Sequence, residues 1–454
     1  MLDNPNIIFI IIDTLRKDYA ASLEKELKKF GFRSYKNVIA PAPWTTPSHA
    51  SMFTGFYPLL HGAHETKDRK DYDVKLAPKH KFRLISNVLR ELEFKNYLLN
   101  ANPHITPYFG FYGFREFYDV FSGPYYSFTN LEDFLKIMIL KKYYDPKTKY
   151  DKVKMLLRSK EYRLLLKILL NKCFPKSLKQ NKMWPLDKGA KKFLRIFDRK
   201  IQWNTPEPKF IFVNLMEMHE PYLCNENPEE ISRINFRTGK LNPEIVKLWR
   251  RKYAKELQYT KHNILKLIKI LKDNKVLDSS VVIVTSDHGQ LLGEHGRIRH
   301  GTFLYDELIK VPLLIKYPPG HNPELDTSYS LMRYVTLVNL YHFILNIING
   351  NFEKAERTLF SEVVFSESYG IEIPYNKPKN PVEMANIEQL EKYRIAIYYK
   401  RFKGIFNVTD WKFDRIFSYD PKMEVTENVK KELKRKVINF LKSATRIPKG
   451  YTKI

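Results

Sequence analysis

Three apolar runs, each broken off by a carboxylate or an imidazole, constrain what this chain can fold into more than any other feature. They are Asn-Ile-Ile-Phe-Ile-Ile-Ile-Asp at 6–13, Lys-Phe-Ile-Phe-Val-Asn-Leu-Met-Glu-Met-His at 209–219, and Ser-Val-Val-Ile-Val-Thr-Ser-Asp-His-Gly at 280–289. Unbroken β-branched runs of this length read as strands buried on both faces, as in a parallel sheet covered by helices. The carboxyl edge of such a sheet is where open α/β folds build their sites. Asp13, His219, Asp287 and His288 therefore fall on one edge. One acidic strand end alone is commonplace, because Asp also caps helices. Two carboxylates and an imidazole on neighbouring strand ends, however, suit a divalent ion such as Zn2+, Mn2+ or Ca2+. Glu217 is a further carboxylate within reach of a second ion.

The stretch Trp-Thr-Thr-Pro-Ser-His-Ala-Ser-Met-Phe-Thr-Gly at 44–55 adds a nucleophile. Thr46 reads as a cap, Pro47 as the first helical residue and Gly55 as the stop. A helix opening there offers unpaired N–H groups and partial positive charge to an anion beside Thr45. With a metal at Asp13, Asp287 and His288, Thr45 completes the set of ligands and becomes an activated hydroxyl.

Elsewhere, the periodicity predicts helices over 23–30, 82–92, 152–170, 188–197, 243–274 and 429–441, and strands over 96–100 and 311–316. A polar loop at 102–107 carries Asn102. Residues 1–358 are expected to form the catalytic domain and 359–454 a smaller α+β portion. An insert at about 130–205 interrupts the first.

The chain has 454 residues, 43% of them hydrophobic, enough for a large core, and a formal charge of +28. Residues 136–200 hold 21 Lys/Arg against 5 Asp/Glu, an excess of 16. That concentration predicts an anionic partner for the insert, with a merely Lys-rich composition as the plainer account. Its leucines, among them Leu156, Leu157, Leu164, Leu165 and Leu169, are expected to pack on a core, with peripheral membrane contact as the second reading. A nucleic-acid partner is not expected, because no recognised reading module occurs. Two cysteines, Cys173 and Cys224, exclude a disulfide framework and suggest a reducing cytoplasm, and no leader or membrane span is visible.

Together these motifs resemble the sulfatase branch of the alkaline phosphatase-like superfamily. The resemblance is carried by Ile-Ile-Asp-Thr-Leu-Arg at 11–16, Thr-Pro-Ser-His-Ala-Ser-Met-Phe-Thr-Gly at 46–55, residues 216–222, Thr-Ser-Asp-His-Gly-Gln-Leu-Leu-Gly-Glu-His-Gly at 285–296, and His-Gly-Thr-Phe-Leu-Tyr-Asp-Glu-Leu-Ile-Lys-Val-Pro at 300–312. Tyr419-Asp420-Pro421 resembles that family's C-terminal turn. The resemblance implies an α/β fold with a mostly parallel sheet between helices. It further implies metal ligands at Asp13, Thr45, Asp287 and His288, catalytic or metal-lining roles for His219 and His300, and substrate contacts at Asn102 and His49. Sulfatases that use formylglycine derive it from Cys or Ser in a Cys/Ser-x-Pro-x-Arg motif, whereas this chain has Thr45-Thr46-Pro47-Ser48-His49. Cys173-Phe-Pro-Lys-Ser177 lacks the arginine and the following helix. Thr14 stands where a second carboxylate is often found. A threonine nucleophile resembles the phosphoester-acting branches, so a phosphoester hydrolase or transferase is expected. A sulfate ester hydrolase is the enzymatic alternative. An inactive relative that binds anionic lipid or polyanion is the alternative of another class. The expected substrate is an anionic ester, glycan- or lipid-linked.

Overall fold

A computed structural model describes residues 4–64, 83–123, 131–144, 148–173, 183–223, 227–323, 333–370 and 380–443. Cys224 and the part of the Cys-Phe-Pro-Lys-Ser stretch beyond Cys173 lie outside the described residues. In chain order the strands are β1 (Asn6–Ile12), β2 (Arg33–Ser34), β3 (Val38–Ile39), β4 (Lys95–Asn100), β5 (Glu116–Asp119), β6 (Lys209–Leu215), β7 (Ser280–Thr285), β8 (Leu291–Leu292), β9 (Ile298–Arg299) and β10 (Leu313–Lys316). Beyond them come β11 (Tyr334–Thr336), β12 (Phe360–Ser361), β13 (Val363–Ser368), β14 (Arg394–Tyr399), β15 (Phe402–Asn407) and β16 (Lys412–Ser418).

Seven strands form the central sheet in the order β2-β10-β7-β1-β6-β4-β5. β7, β1, β6, β4 and β5 run parallel, whereas β10 opposes both β7 and β2. The sheet is thus mixed and mostly parallel, as the apolar runs require. Alternation along β1 sends Ile7, Phe9 and Ile11 to one face and Ile8, Ile10 and Ile12 to the other, and all six are buried. The first face packs against helix Thr45–Thr54, through Ala50, Met52 and Phe53, and against helix Leu340–Ile348. The second is covered by helices Ala21–Lys28, Ala190–Lys200 and the long helix Pro243–Asp273.

Register brings the carboxyl ends level. Ile12 lies beside Leu215, Ile11 beside Thr285, and Asn100 beside Asn214, so β4, β6, β1 and β7 end side by side. A second sheet, β13-β14-β15-β16, is antiparallel and packs on helix Glu427–Lys442.

The insert departs from the expected single helix over 152–170. It contains helices Leu131–Tyr144, Lys149–Arg158 and Tyr162–Cys173, the last two separated where Lys160 adopts a left-handed φ of 57°. Its leucines divide. Leu156 and Leu164 join Ile137 and Met155 in a small core of their own, while Leu157 and Leu169 are exposed.

Candidate active site

The site grows from the ends of those four strands and from the start of helix Thr45–Thr54. That helix begins earlier than its sequence suggests: Trp44 is the N-cap, without a side-chain cap bond, and Thr45 is already helical. Thr46 is therefore not the cap, and its hydroxyl is buried without a partner. The shift matters because Thr45 and Thr46 now occupy the first turn, whose amides have no acceptor within the helix. Gly55 closes the helix at φ 75°.

Asp13 and Asp287 are wholly buried, and each has one carboxylate oxygen, Oδ1 and Oδ2 respectively, with no partner. Burial pushes Asp13 up to about 6, with the Asp287 charge adding to it, and burial pushes Asp287 up to about 7. Buried carboxylates with orphaned oxygens are stabilised by a cation. His288 supplies the third donor. Its Nδ1–H donates to the Gly289 carbonyl at 2.9 Å, which leaves the Nε2 lone pair 3.4 Å from Asp287 Oδ2, 3.8 Å from Asp13 Oδ1 and 3.4 Å from Thr45 Oγ1. Such an outer hydrogen bond fixes the tautomer a metal needs. Gly289 has no room for a side chain, since a Cβ there would lie 2.0 Å from the Glu307 carbonyl. The donor set of two carboxylates, one imidazole and a hydroxyl fits a divalent ion.

Asn102 lies at the end of β4. Its Oδ1 accepts from His104 N at 3.0 Å, which turns Nδ2 toward Asp13 Oδ2 at 2.8 Å and Thr45 Oγ1 at 3.5 Å. Thr14, where a second carboxylate was conceivable, has a left-handed φ of 62°, an uncomfortable conformation for a β-branched residue. Its amide donates to Asp287 Oδ1 at 3.4 Å, and Tyr253 of the long helix clamps its carbonyl at 2.7 Å.

His219 and His300 form a second wall. Their ring centres lie 4.9 Å apart, and His300 lies 4.6 Å from His288. His219 Nδ1–H donates to the Glu220 carbonyl at 2.6 Å, and His300 Nδ1–H donates to Gln290 Oε1 at 2.6 Å, so both Nε2 atoms remain available. Gln290 Nε2 and Arg299 Nε in turn donate to the Glu220 carboxylate at 2.6 and 2.8 Å. Burial alone would raise Glu220, but His219, His300 and Arg299 hold it well below the usual carboxylate range. Burial depresses His300 well below the ordinary imidazole value. With Glu220, the two histidines make a second cluster able to ligate an ion.

Several expectations need correction. His49 does not line the substrate space. It is wholly buried, its Nδ1–H donates to the Thr45 carbonyl at 2.9 Å, and its Nε2 receives Asn214 Nδ2 at 3.3 Å. With both nitrogens engaged and Nδ1 3.6 Å from Asp287 Oδ2, His49 braces Thr45 and Asp287. Glu217 joins neither cluster, because Oε1 accepts from Ala190 N at 2.7 Å, at the start of helix Ala190–Lys200. Glu220, Gln290 and Arg299 were not foreseen, although each sits within one or two residues of a chemically marked position, a signal sequence alone does not weigh.

A mostly parallel sheet with a metal-competent acidic edge, faced by a hydroxyl at a helix start, defines the alkaline phosphatase-like class. A family model described as Sulfatase matches residues 5–350, and the chain belongs to the sulfatase family. Among curated relatives, the uncharacterized sulfatase YidJ of Escherichia coli is 40% identical over 53 residues, 12% of this chain and 11% of that protein. The extracellular sulfatase SULF-1 homolog of Drosophila melanogaster is 24% identical over 337 residues, 69% of this chain and 27% of that protein. The chain thus spans well under half the length of these relatives. Among solved structures, the phosphonate monoester hydrolase SpPMH of Silicibacter pomeroyi superposes with a TM-score of 0.61 at 16% identity, covering 99% of this chain and 97% of that one. The 2-O GAG sulfatase BT1596 superposes with a TM-score of 0.60 at 12% identity, covering 97% and 92%. At such identities, likeness of structure means likeness of fold.

Proposed function

We propose that this protein is a metal-dependent hydrolase or transferase of anionic esters, with Thr45 as nucleophile and phosphoesters preferred over sulfate esters. The observation that carries the reading is the position of Thr45 Oγ1, 3.4 Å from His288 Nε2 and 3.5 Å from Asn102 Nδ2 at the first turn of its helix. Asp13, Asp287, His288 and Thr45 would hold the divalent ion, which acts as a Lewis acid and lowers the pKa of the Thr45 hydroxyl. Thr45 Oγ1, its proton released to solvent water before attack, bonds to phosphorus while the P–O bond to the ester oxygen breaks. His219, with Glu220 as its counter-ion 3.5 Å away, donates the proton that this oxygen takes. The amides of Thr45 and Thr46 and the Asn102 side chain stabilise charge on the non-bridging oxygens. His300, kept neutral by burial, accepts a proton from the water or acceptor hydroxyl that then cleaves the phosphothreonine.

Threonine cannot become formylglycine, and its alkoxide lacks the gem-diol route that releases sulfate. The preference for phosphorus rests on that chemistry. It accords with the activity after which the phosphonate monoester hydrolase of like fold is named. Family membership keeps sulfate ester hydrolysis as the second reading. A panel of chromogenic phosphate monoesters, phosphodiesters, phosphonate monoesters and aryl sulfates decides between them, with mass spectrometry of the peptide carrying Thr45. Faster aryl sulfate turnover by unmodified Thr45 protein would reverse the ranking, and no turnover of any ester would leave an anion binder.

A further inference from the structure

We infer that the helical insert is an interfacial docking module for an anionic lipid surface, lying in the membrane plane rather than crossing it. The first observation is where exposed apolar side chains concentrate. Of the eighteen large hydrophobic residues exposed among the described residues, ten lie between 139 and 170. Their spacing is helical. In helix Lys149–Arg158 the exposed set is Tyr150, Val153 and Leu157, and in helix Tyr162–Cys173 it is Tyr162, Leu166, Leu169 and Leu170. Each is a stripe of the i, i+3/i+4, i+7 kind that a helix ordinarily buries. Here the opposite faces, through Met155, Leu156 and Leu164, already fill the small core that joins the helices to one another. The outward stripes are thus surplus to folding, and exposed apolar surface on this scale marks an interaction site.

Charge identifies the occupant. Lys149, Lys152, Lys154, Arg158, Lys160 and Arg163 are exposed around the stripes. The four carboxylates described in and between the three helices are already engaged: Glu132 and Glu161 with Lys136, Asp133 with Lys167, and Asp151 in the capping box at Thr148. The surface therefore offers cations and apolar side chains together. A soluble polyanion would use only the cations, whereas an anionic bilayer uses both, with lysine stems reaching up to headgroups and tyrosines at the interface. No described helix is long and apolar enough to cross a membrane, consistent with binding in the plane. The insert is held in place beyond these three helices: its Lys188 is buried and donates to the Glu217 carbonyl at 2.8 Å and to Glu256 at 3.0 Å. A docked insert is thereby tied to the end of β6, two residues from His219.

The test is flotation of the full chain with vesicles of phosphatidylcholine alone and with added phosphatidylglycerol. Two variants accompany it: L166S/L169S/L170S, whose side chains are 47 to 56% exposed and outside the core, and K152E/K154E/R158E. Binding to the phosphatidylglycerol vesicles is expected, at least about tenfold weaker in the serine variant, since each buried leucine is worth roughly that factor. The charge variant should weaken it by about fivefold or more per residue. Thermal unfolding and turnover of a small chromogenic ester should match the parent in both, which separates this result from any failure of the proposed chemistry. Absence of flotation with anionic vesicles would overturn the inference. So would unchanged binding of the serine variant, which would make the surface a polyanion site of the heparin-binding kind.

Discussion

The Thr45 hydroxyl has only long side-chain contacts, 3.4 Å to His288 Nε2 and 3.5 Å to Asn102 Nδ2, which makes its substitution informative. Thr45→Ala should lower kcat by about a thousandfold or more while the protein folds normally, because alanine suits the helix and the change removes only a hydroxyl whose side-chain contacts are long, at 3.4 and 3.5 Å. Thr45→Ser should retain most of the activity, and kinetics on the ester that turns over best check both. Asp287→Asn removes charge at one of the wholly buried candidate ligands. Metal content after chelation and reconstitution should fall, with affinity lower by more than about a hundredfold, the upper end for outer-shell changes. Equal metal content in parent and variant would sink the ligand assignment. Asp13, Asp287, His288 and Thr45 were legible because each sits at a strand end or helix start that hydrophobic pattern marks. His49 was misread because its neighbours, the Thr45 carbonyl and Asn214, come from distances along the chain that no pattern records.

Among the elements, one carboxylate gathers three parts of the C-terminal sheet. Asp306, at the start of helix Asp306–Ile309, accepts from Lys403 Nζ at 2.6 Å, Lys310 Nζ at 2.8 Å, Tyr398 OH at 2.7 Å and Tyr419 OH at 2.6 Å. β14, β15 and the turn after β16 thus all converge on it. Burial alone would raise Asp306, but Lys403 and Lys310 hold it well below its ordinary value of 3.8. A carboxyl more acidic in the folded than in the unfolded state contributes stability that is present above about pH 4 and lost as pH falls below it. Asp306→Ala should cost about 3 kcal/mol at neutral pH, since it leaves the Lys403 ammonium buried without its partner, and should flatten the acid limb of a Tm-against-pH curve. An unchanged acid limb would refute this account. The Tyr-Asp-Pro turn was noticed in the sequence as a pattern, and its physical use as a dock for Asp306 emerged only from the packing.

At the scale of the whole molecule, two carboxylates buried side by side on one sheet edge make folding and metal binding interdependent. Chelation should lower Tm, and a divalent ion in hundredfold excess over its Kd should restore about 2.7 kcal/mol, together with ester turnover. Calorimetry of chelated and reconstituted protein measures it, and an identical Tm in both states would count against a metal at this edge.

The sequence by itself determined the class of fold and most of the polar groups that meet at its edge. Continuous β-branched runs can be satisfied only in a covered parallel sheet, and their polar stops then have one edge to occupy. Side-chain pairing across the chain was decided by tertiary structure alone. Glu220 is recruited by Gln290 and Arg299, Glu217 is drawn away to the Ala190 amide, and the insert's helices bury one face on each other while leaving the other outside. Periodicity states that a helix has an apolar face. What that face meets depends on how many such faces the fold brings together, and this chain brings the insert fewer than it has.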